Sequence, residues 1–377
     1  MIRTVAGSLH TSFCDLVGVR YPIVQTGMGW VAGARLTSAT SAAGGLGILA
    51  SATMSFEELA RAVAEVRSRT SAPFGVNLRS DHAEVGRFVD LLVSEEVAVA
   101  SFAQAPDPKL IGRLQAGGVL CIPTVAARRH AEKVAAWGVD AVIAQGHEGG
   151  GHTGPVPTSL LLPEVAAVVD LPVLGAGGFK DGRGLVAALA WGAAGIAMGT
   201  RFLLTAESTV PDEVKALYLA AAVTDTVVTT AVDGVPQRVI RTPLVRRLEA
   251  SFPPTAAVRS LTSALRLRRL TGTALTDLLR EGLAMHRHDG LSLRQVAMAA
   301  NAPMLTRAAL VGGNPEAGIL PTGQVAGLID SLPTVAEVID SIVSEAVEVL
   351  GGLRRYLEPD QPTLSSGGRV PAEEDDR

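Results

Sequence analysis

The sequence predicts an α/β fold, a (β/α)8 barrel (TIM barrel) with a helical insert after its eighth strand, and three observations carry that prediction. Eight short apolar runs occupy residues 21–26, 45–50, 74–77, 97–102, 119–125, 141–145, 171–176 and 195–199, and their centres recur about every 21 to 31 residues, the length of one strand plus one helix. Most of the intervals carry an amphipathic helical pattern, as at 56–68 and 126–137. Small and polar residues collect where the runs end, at Thr26-Gly27-Met28, Asn77, Gln145-Gly146 and Gly177-Gly178. That is the C-terminal face, on which barrel enzymes build their sites. A doubly wound open sheet is the runner-up architecture.

Composition narrows the function classes. The chain has 377 residues, 47% apolar and 19% charged, so its interior is large relative to its surface. A net charge of -4, a pI near 6.0 and 4% aromatic residues leave no electrostatic or stacking footprint for nucleic acid. Cys14 and Cys121 fit no metal spacing and predict two buried thiols without a disulfide, in a reducing compartment. Mean hydropathy is +0.31, and residues 36–56 run without a charge. That run holds seven Ser or Thr and three Gly, which speaks against a membrane span and for a strand-and-turn pair in a packed core. Residues 1–9 lack the apolar core of a signal peptide, so a cytoplasmic protein with no membrane partner is expected.

Taken in order, the first run ends in Gly27-Met28-Gly29 and the sixth enters a loop, residues 145–154, with five glycines and two histidines, His147 and His152. Glycines let backbone amides approach a flat or anionic ligand, and an imidazole titrates near neutral pH. The loop therefore reads either as a reactive centre or as a tight strand-to-helix turn with two solvated histidines. The seventh and eighth runs each finish in small residues at a helix start, at Gly177-Gly178 and Gly199-Thr200. In a barrel, loops in these two positions hold phosphate through backbone amides. With no P-loop lysine, and no GxGxxG fingerprint set between a strand and a helix with an acid downstream, a mononucleotide is expected rather than a dinucleotide.

After Thr205 the alternation stops. Residues 211–222 read as a helix, and 226–230 and 238–241 flank Asp233-Gly234 as a hairpin. Residues 244–289 carry eight arginines (Arg246, Arg247, Arg259, Arg266, Arg268, Arg269, Arg280 and Arg287), either a solvated helix face or a grip for the phosphates of a coenzyme-A-type substrate. Residues 320–329 open a return to the barrel, 334–350 form a closing helix capped by Thr334, and 359–377 are a polar, disordered tail. The domain plan is thus a barrel from 12–222 and 310–350, with 223–309 as hairpin and helical insert.

The motifs Pro22-Ile-Val-Gln-Thr-Gly-Met-Gly29, Ala43-Gly-Gly-Leu-Gly-Ile48, Pro73-Phe-Gly-Val-Asn77, Ala144-Gln-Gly-His-Glu-Gly-Gly-Gly-His152, Gly175-Ala-Gly-Gly178, Met198-Gly-Thr-Arg-Phe202 and Gly323-Gln-Val-Ala-Gly327 resemble the nitronate monooxygenase (2-nitropropane dioxygenase) family and its FMN-dependent enoyl-acyl-carrier-protein reductase II relatives. The likeness spans about residues 12–350. It implies a barrel holding FMN, with phosphate at Gly177, Gly178, Gly199 and Thr200. The ring would lie near Thr26, Gly27, Met28, Asn77, Gln145, Gly146 and Gly151, with His152 as catalytic base. Where nitronate monooxygenases usually read Ala-Pro-Met and Glu-Ala-Gly-Gly-His, this chain has Thr26-Gly27-Met28 and Glu148-Gly-Gly-Gly-His152. The stretches Gln25-Thr-Gly-Met-Gly-Trp-Val-Ala-Gly-Ala-Arg35, Leu49-Ala-Ser-Ala-Thr-Met54, Gly149-Gly-Gly-His-Thr-Gly-Pro155 and Ser208-Thr-Val-Pro-Asp212 are similar to a branch of the family that acts on a coenzyme A thioester of the steroid ring C/D remnant.

The function these readings imply is flavin redox chemistry at an acidic carbon beside a thioester carbonyl, with His152 moving the proton. Arg266, Arg269 and Gln324 are the candidate substrate-binding residues. NAD(P)H, dioxygen or a second substrate molecule stays open as electron partner, as does an oligomeric state. No metal is expected. Two rivals stand beside this reading: a nitronate monooxygenase passing electrons to dioxygen, and a non-redox phosphate-binding isomerase barrel.

Overall fold

A computed structural model of the chain describes residues 9–103, 106–250 and 301–356. Eight parallel strands close into a barrel: β1 (Ile23–Gln25), β2 (Leu46–Ala50), β3 (Phe74–Leu78), β4 (Val99–Phe102), β5 (Leu120–Val125), β6 (Val142–Gln145), β8 (Val173–Ala176) and β9 (Gly195–Met198). Closure comes from β1 pairing with β9, Val24 opposite Ala197. Almost every residue of these strands is buried, because helices cover the outside and side chains fill the inside. The inner layer holds Val24, Ile48, Val99, Ile122, Ile143 and Leu174, which pack with Phe13, Cys14 and Val17 of the helix Ser12–Val17. That helix plugs the N-terminal end of the barrel, where the Thr11 hydroxyl donates to the Ala194 carbonyl (2.6 Å). The outer residues of the strands join the larger cluster beneath the helices.

The helices follow from local sequence. In Phe56–Arg69, Ser55 and Glu58 form a reciprocal capping box, Leu59, Val63 and Val66 face the barrel, and Arg67 and Arg69 sit in the last turn, as the helix dipole favours. Val335–Leu353 repeats the device with Thr334 and Glu337. This closing helix meets the helix Gly182–Ala190 at Gly182, where a Cβ would fall 2.3 Å from the Ala346 amide nitrogen, and Glu345 accepts a hydrogen bond from the Gly182 amide (2.7 Å). Only glycine permits so close a crossing.

Two elements differ from the sequence reading. Residues 36–56 are not a strand-and-turn pair: they hold most of a helix, Ala34–Ala42, then β2 and a short 3-10 turn, Ser51–Thr53. The helix buries Thr37, Ser38, Thr40 and Ser41, whose polarity argues against a core helix. The Thr40 hydroxyl donates to the Leu36 carbonyl (3.0 Å) and Ser41 Oγ accepts from the Gly47 amide (3.2 Å), so burial leaves both hydroxyls partnered. The second difference lies in the histidine loop. Gly151–His152 is a two-residue strand, β7, added to a hairpin of β10 (Thr226–Thr229) and β11 (Gln237–Ile240) to make a three-stranded antiparallel sheet.

Residues 320–329 return over the barrel mouth through a bridge between Pro321 and Val239 and a 3-10 turn, Gln324–Leu328. Both cysteines are buried and unbonded, and burial, with Asp140 nearby, pushes the Cys121 thiol up to about 12. No helix among the described residues is long and apolar enough to cross a membrane. Most of the arginine-rich insert, including Arg259, Arg266, Arg268, Arg269, Arg280 and Arg287, and the tail 359–377 lie outside the described residues.

Candidate active site

Parallel closure puts the ends of all eight strands on one face, and the candidate residues meet there. After β1, Thr26 donates its amide to the Met198 carbonyl at the end of β9 (3.1 Å). The missing Cβ of Gly199 would lie 3.2 Å from Met28 Sδ and 3.3 Å from Thr26 Oγ1, so these three residues pack directly. A Cβ on Gly27 would fall 2.5 Å from that of Asn77, which forces glycine where the first loop passes over β3. Asn77 is held by Nδ2 donating to Ser101 Oγ (2.9 Å) and by its carbonyl accepting from Ser51 (2.7 Å). Trp30, in the same loop, has φ of 60°, a left-handed conformation that a bulky residue rarely adopts.

The loops after β6 and β8 interlock. Glu148 accepts from the Thr158 amide (2.9 Å) and lies 2.8 Å from its hydroxyl, which also reaches the Gly177 carbonyl (3.1 Å). Gly146 sits against Thr158 so closely that a Cβ would lie 2.1 Å from the hydroxyl oxygen. Gly177 and Gly178 both have left-handed φ, 95° and 82°. They differ in surroundings: a Cβ on Gly177 would crowd Gly149 and Thr158, whereas one on Gly178 would meet only Glu148 Cβ, at 3.8 Å. The return segment closes the group, with the Gln324 amide donating to the Glu148 carbonyl (3.0 Å) and the Gly323 amide to Thr200 Oγ1 (2.9 Å). Thus Gln324 stands beside the flavin-site candidates, while Arg266 and Arg269 lie outside the described residues.

The two histidines have different partners. The His147 ring is tied to its own loop, Nδ1 donating to the Gly154 carbonyl (2.8 Å), and its carbonyl accepts from Arg238 Nε (3.2 Å) and Nη2 (3.0 Å). Arg238 is buried and also donates to Thr226 Oγ1 (2.8 Å); burial lowers its pKa and Glu148 opposes that shift. His152 is held through its main chain by β7, opposite Gln237 of β11, and by Gln145 Nε2 donating to its carbonyl (2.8 Å). Its side chain is 60% exposed, yet Nε2 lies 2.7 Å from Oδ2 of Asp233, which is 6% exposed. Asp233 Oδ1 accepts from the Val235 amide (3.1 Å). Burial pushes the Asp233 carboxyl up, but the hydrogen bonds and charge of His152, with the Val235 amide, outweigh it and hold the group below the ordinary carboxylate range.

Asp233 and Arg238 are the members the sequence reading missed. Asp233-Gly234 carries a turn signal, which explains the hairpin and hides the carboxylate's second partner. Among the described residues no group of three or more His, Cys, Asp or Glu side chains is placed to hold a metal ion.

The sequence profile of nitronate monooxygenase matches residues 10–90 and 82–345, nearly the whole described chain. The chain belongs to the nitronate monooxygenase family. Within it, the chain is 55% identical over 350 residues to a protein of Rhodococcus jostii named (3aS,4S,5R,7aS)-5-hydroxy-7a-methyl-1-oxo-octahydro-1H-indene-4-carboxyl-CoA dehydrogenase, covering 92% of this chain and 99% of that one. A Mycobacterium tuberculosis protein of the same name is 56% identical over 342 residues, 90% and 96% of the two chains. Among solved structures, FabK from Thermotoga maritima superposes with a TM-score of 0.78 at 36% identity, covering 92% and 99% of the two chains. The closed barrel of this nitronate monooxygenase family member is therefore shared with a solved relative over almost its full length.

Proposed function

We propose that the protein is an FMN-dependent oxidoreductase acting on the coenzyme A thioester of a hydroxylated, methyl-substituted oxo-octahydroindene carboxylate, in the degradation of steroid rings C and D. The observation that carries this reading is 55% identity across 92% of the chain to a dehydrogenase named for that thioester. Identity of that extent covers far more than a cofactor site, and the matched span includes the hairpin that holds His152.

The residues fit FMN. Gly178 offers a left-handed backbone whose missing side chain would meet only Glu148 Cβ, at 3.8 Å, which suits a close approach of its amide to a phosphate, and Gly199 and Thr200 lie on the neighbouring loop. Thr26, Gly27, Met28, Asn77, Gln145, Gly146 and Gly151 would line the ring, at the ends of β1, β3 and β6. When bound, FMN supplies two-electron chemistry, accepting or returning a hydride. His152 would take the proton from the carbon beside the thioester carbonyl, or return it in the reductive direction. Gln324, beside Glu148, would line the substrate side, and Arg266 and Arg269 would meet the coenzyme A phosphates. Reversing the charge of those two arginines is then expected to raise KM for the thioester and leave flavin content unchanged. NAD(P)H is the electron partner we assign to the reductive direction.

The test is to mix the purified protein anaerobically with the octahydroindene carboxyl-CoA and follow the flavin spectrum. Bleaching supports the reading; a spectrum that stays oxidised with the thioester but turns over propionate 3-nitronate under air would replace it with nitronate oxidation. That second reading draws on the family match, while the departures at Thr26-Gly27 and at Gly149 tell against it.

A further inference from the structure

The Asp233 carboxylate is buried, belongs to a hairpin outside the barrel, and reaches 81 residues back along the chain to a histidine whose side chain is mostly in solvent. We propose that Asp233 fixes His152 in the tautomer protonated on Nε2, so that Nδ1 is the atom that takes the substrate proton. The inference rests on the reading of His152 as the acid-base group and adds which atom acts and what orients it. Asp233 is a positioning residue: it touches the imidazole and not the substrate.

The chemistry of the pair sets the direction of the bond. An ionised carboxylate only accepts hydrogen bonds, so at 2.7 Å the proton between Oδ2 and Nε2 belongs to the imidazole. A neutral imidazole with its proton on Nε2 carries its lone pair on Nδ1. Among the described residues the His152 ring makes no other hydrogen bond, so Nδ1 is left for a ligand.

The turn alone does not account for Asp233. Its Oδ1 already receives the Val235 amide, which is the local bond a turn aspartate makes, and Oδ2 goes instead to a different element. Both ends of His152 are thereby tied to one hairpin, the main chain by pairing with Gln237 and the ring by Asp233. An exposed side chain adds little to the core, so the consequence of this double attachment is a fixed ring, which is what a proton transfer needs.

The step balances without a co-reactant. The C–H bond beside the thioester carbonyl breaks, its electron pair stays on that carbon as the thioester enolate, and the proton forms the Nδ1–H bond. The imidazolium so formed is paired with the Asp233 carboxylate and gives its proton back to substrate or to water. Neither residue is oxidised or reduced.

Two readouts test this. In histidine-labelled protein the 15N spectrum, with the His152 signals assigned by their loss in His152→Ala, should show a protonated Nε2 and an unprotonated Nδ1 at a pH where the ring is neutral. A protonated Nδ1 would overturn the proposal, and this measurement needs no Asp233 variant to fold. The second readout is deuterium exchange at the carbon beside the carbonyl of the octahydroindene carboxyl-CoA in deuterated water. Asp233→Asn should slow exchange about 10- to 1,000-fold, within the range of general acid-base effects, and leave thioester KM within about threefold. Exchange in Asp233→Asn at the wild-type rate, while His152→Ala is slow, overturns the positioning role alone. Exchange at the wild-type rate in His152→Ala overturns the reading of His152 and this inference with it.

Discussion

His152 and His147 share a loop with four residues between them, yet their side chains have different partners. The His147 ring holds the loop to itself through Gly154, so His147→Ala removes one hydrogen bond and is expected to cost about 1 kcal/mol of stability with little loss of turnover. His152 is exposed and contributes little to the core, so His152→Ala should remain folded and keep its flavin while turnover falls about 100- to 10,000-fold, as for other general acid-base groups. Thermal melts and single-turnover flavin reduction on the two variants separate these effects. At Gly178, φ of 82° and uncrowded surroundings make glycine the residue that suits a close amide approach to an anion. Gly178→Asp adds strain and a negative charge together, and flavin content after purification should drop to near zero while the fold, by circular dichroism, persists.

At the scale of elements, the small sheet of β7, β10 and β11 is the clamp that fastens the histidine loop. Arg238, buried, bonds both the His147 carbonyl and Thr226 Oγ1, so Arg238→Met leaves a loop carbonyl and a hydroxyl without their charged donor. A loss of about 1.5 to 3 kcal/mol is expected, the range for hydrogen bonds to charged groups, read as a lower midpoint in urea unfolding. Asp233 adds a pH dependence. Its folded pKa lies below the ordinary 3.8, so its contribution to stability is fully present above that value and is lost as pH falls through the folded pKa. Asp233→Asn should therefore be less acid-sensitive than wild type below pH 3.8, measured as the change in urea midpoint between neutral and acid pH. The eight barrel strands were legible in the sequence because a strand buried on both faces reads as an unbroken apolar run. β7 was not, since two residues in a glycine-rich loop carry no periodicity and its partner strand lies over eighty residues away. The Asp233–His152 pair has the same cause: no local pattern marks a contact across that separation. The polar helix Ala34–Ala42 was hidden by its own hydroxyls, of which Thr40 and Ser41 are partnered by backbone groups and Thr37 is buried without a partner.

For the whole molecule, the barrel supplies a rigid frame, and the hairpin and return segment bond to the loops at its C-terminal face. Glycines at Gly27, Gly146 and Gly182 let strand ends, loops and the closing helix approach within distances that a Cβ would forbid, and that packing brings the C-terminal ends of β1, β3, β6, β8 and β9 into one site. The motifs at those ends made their meeting on one face readable from the sequence; the hydrogen bonds that tie the hairpin and return segment to that face, from residues far along the chain, left no local pattern. On the proposed function, this arrangement is a flavoprotein working on a coenzyme A thioester. The measurement that tests it most directly is an anaerobic titration of the purified protein with the hydroxylated oxo-octahydroindene carboxyl-CoA, followed by heat release of the cofactor for identification. The expected result is a yellow protein, loss of flavin absorbance in proportion to added thioester, and FMN in the released fraction. A colourless protein, or a flavin that the thioester leaves oxidised while propionate 3-nitronate is consumed under air, would contradict it.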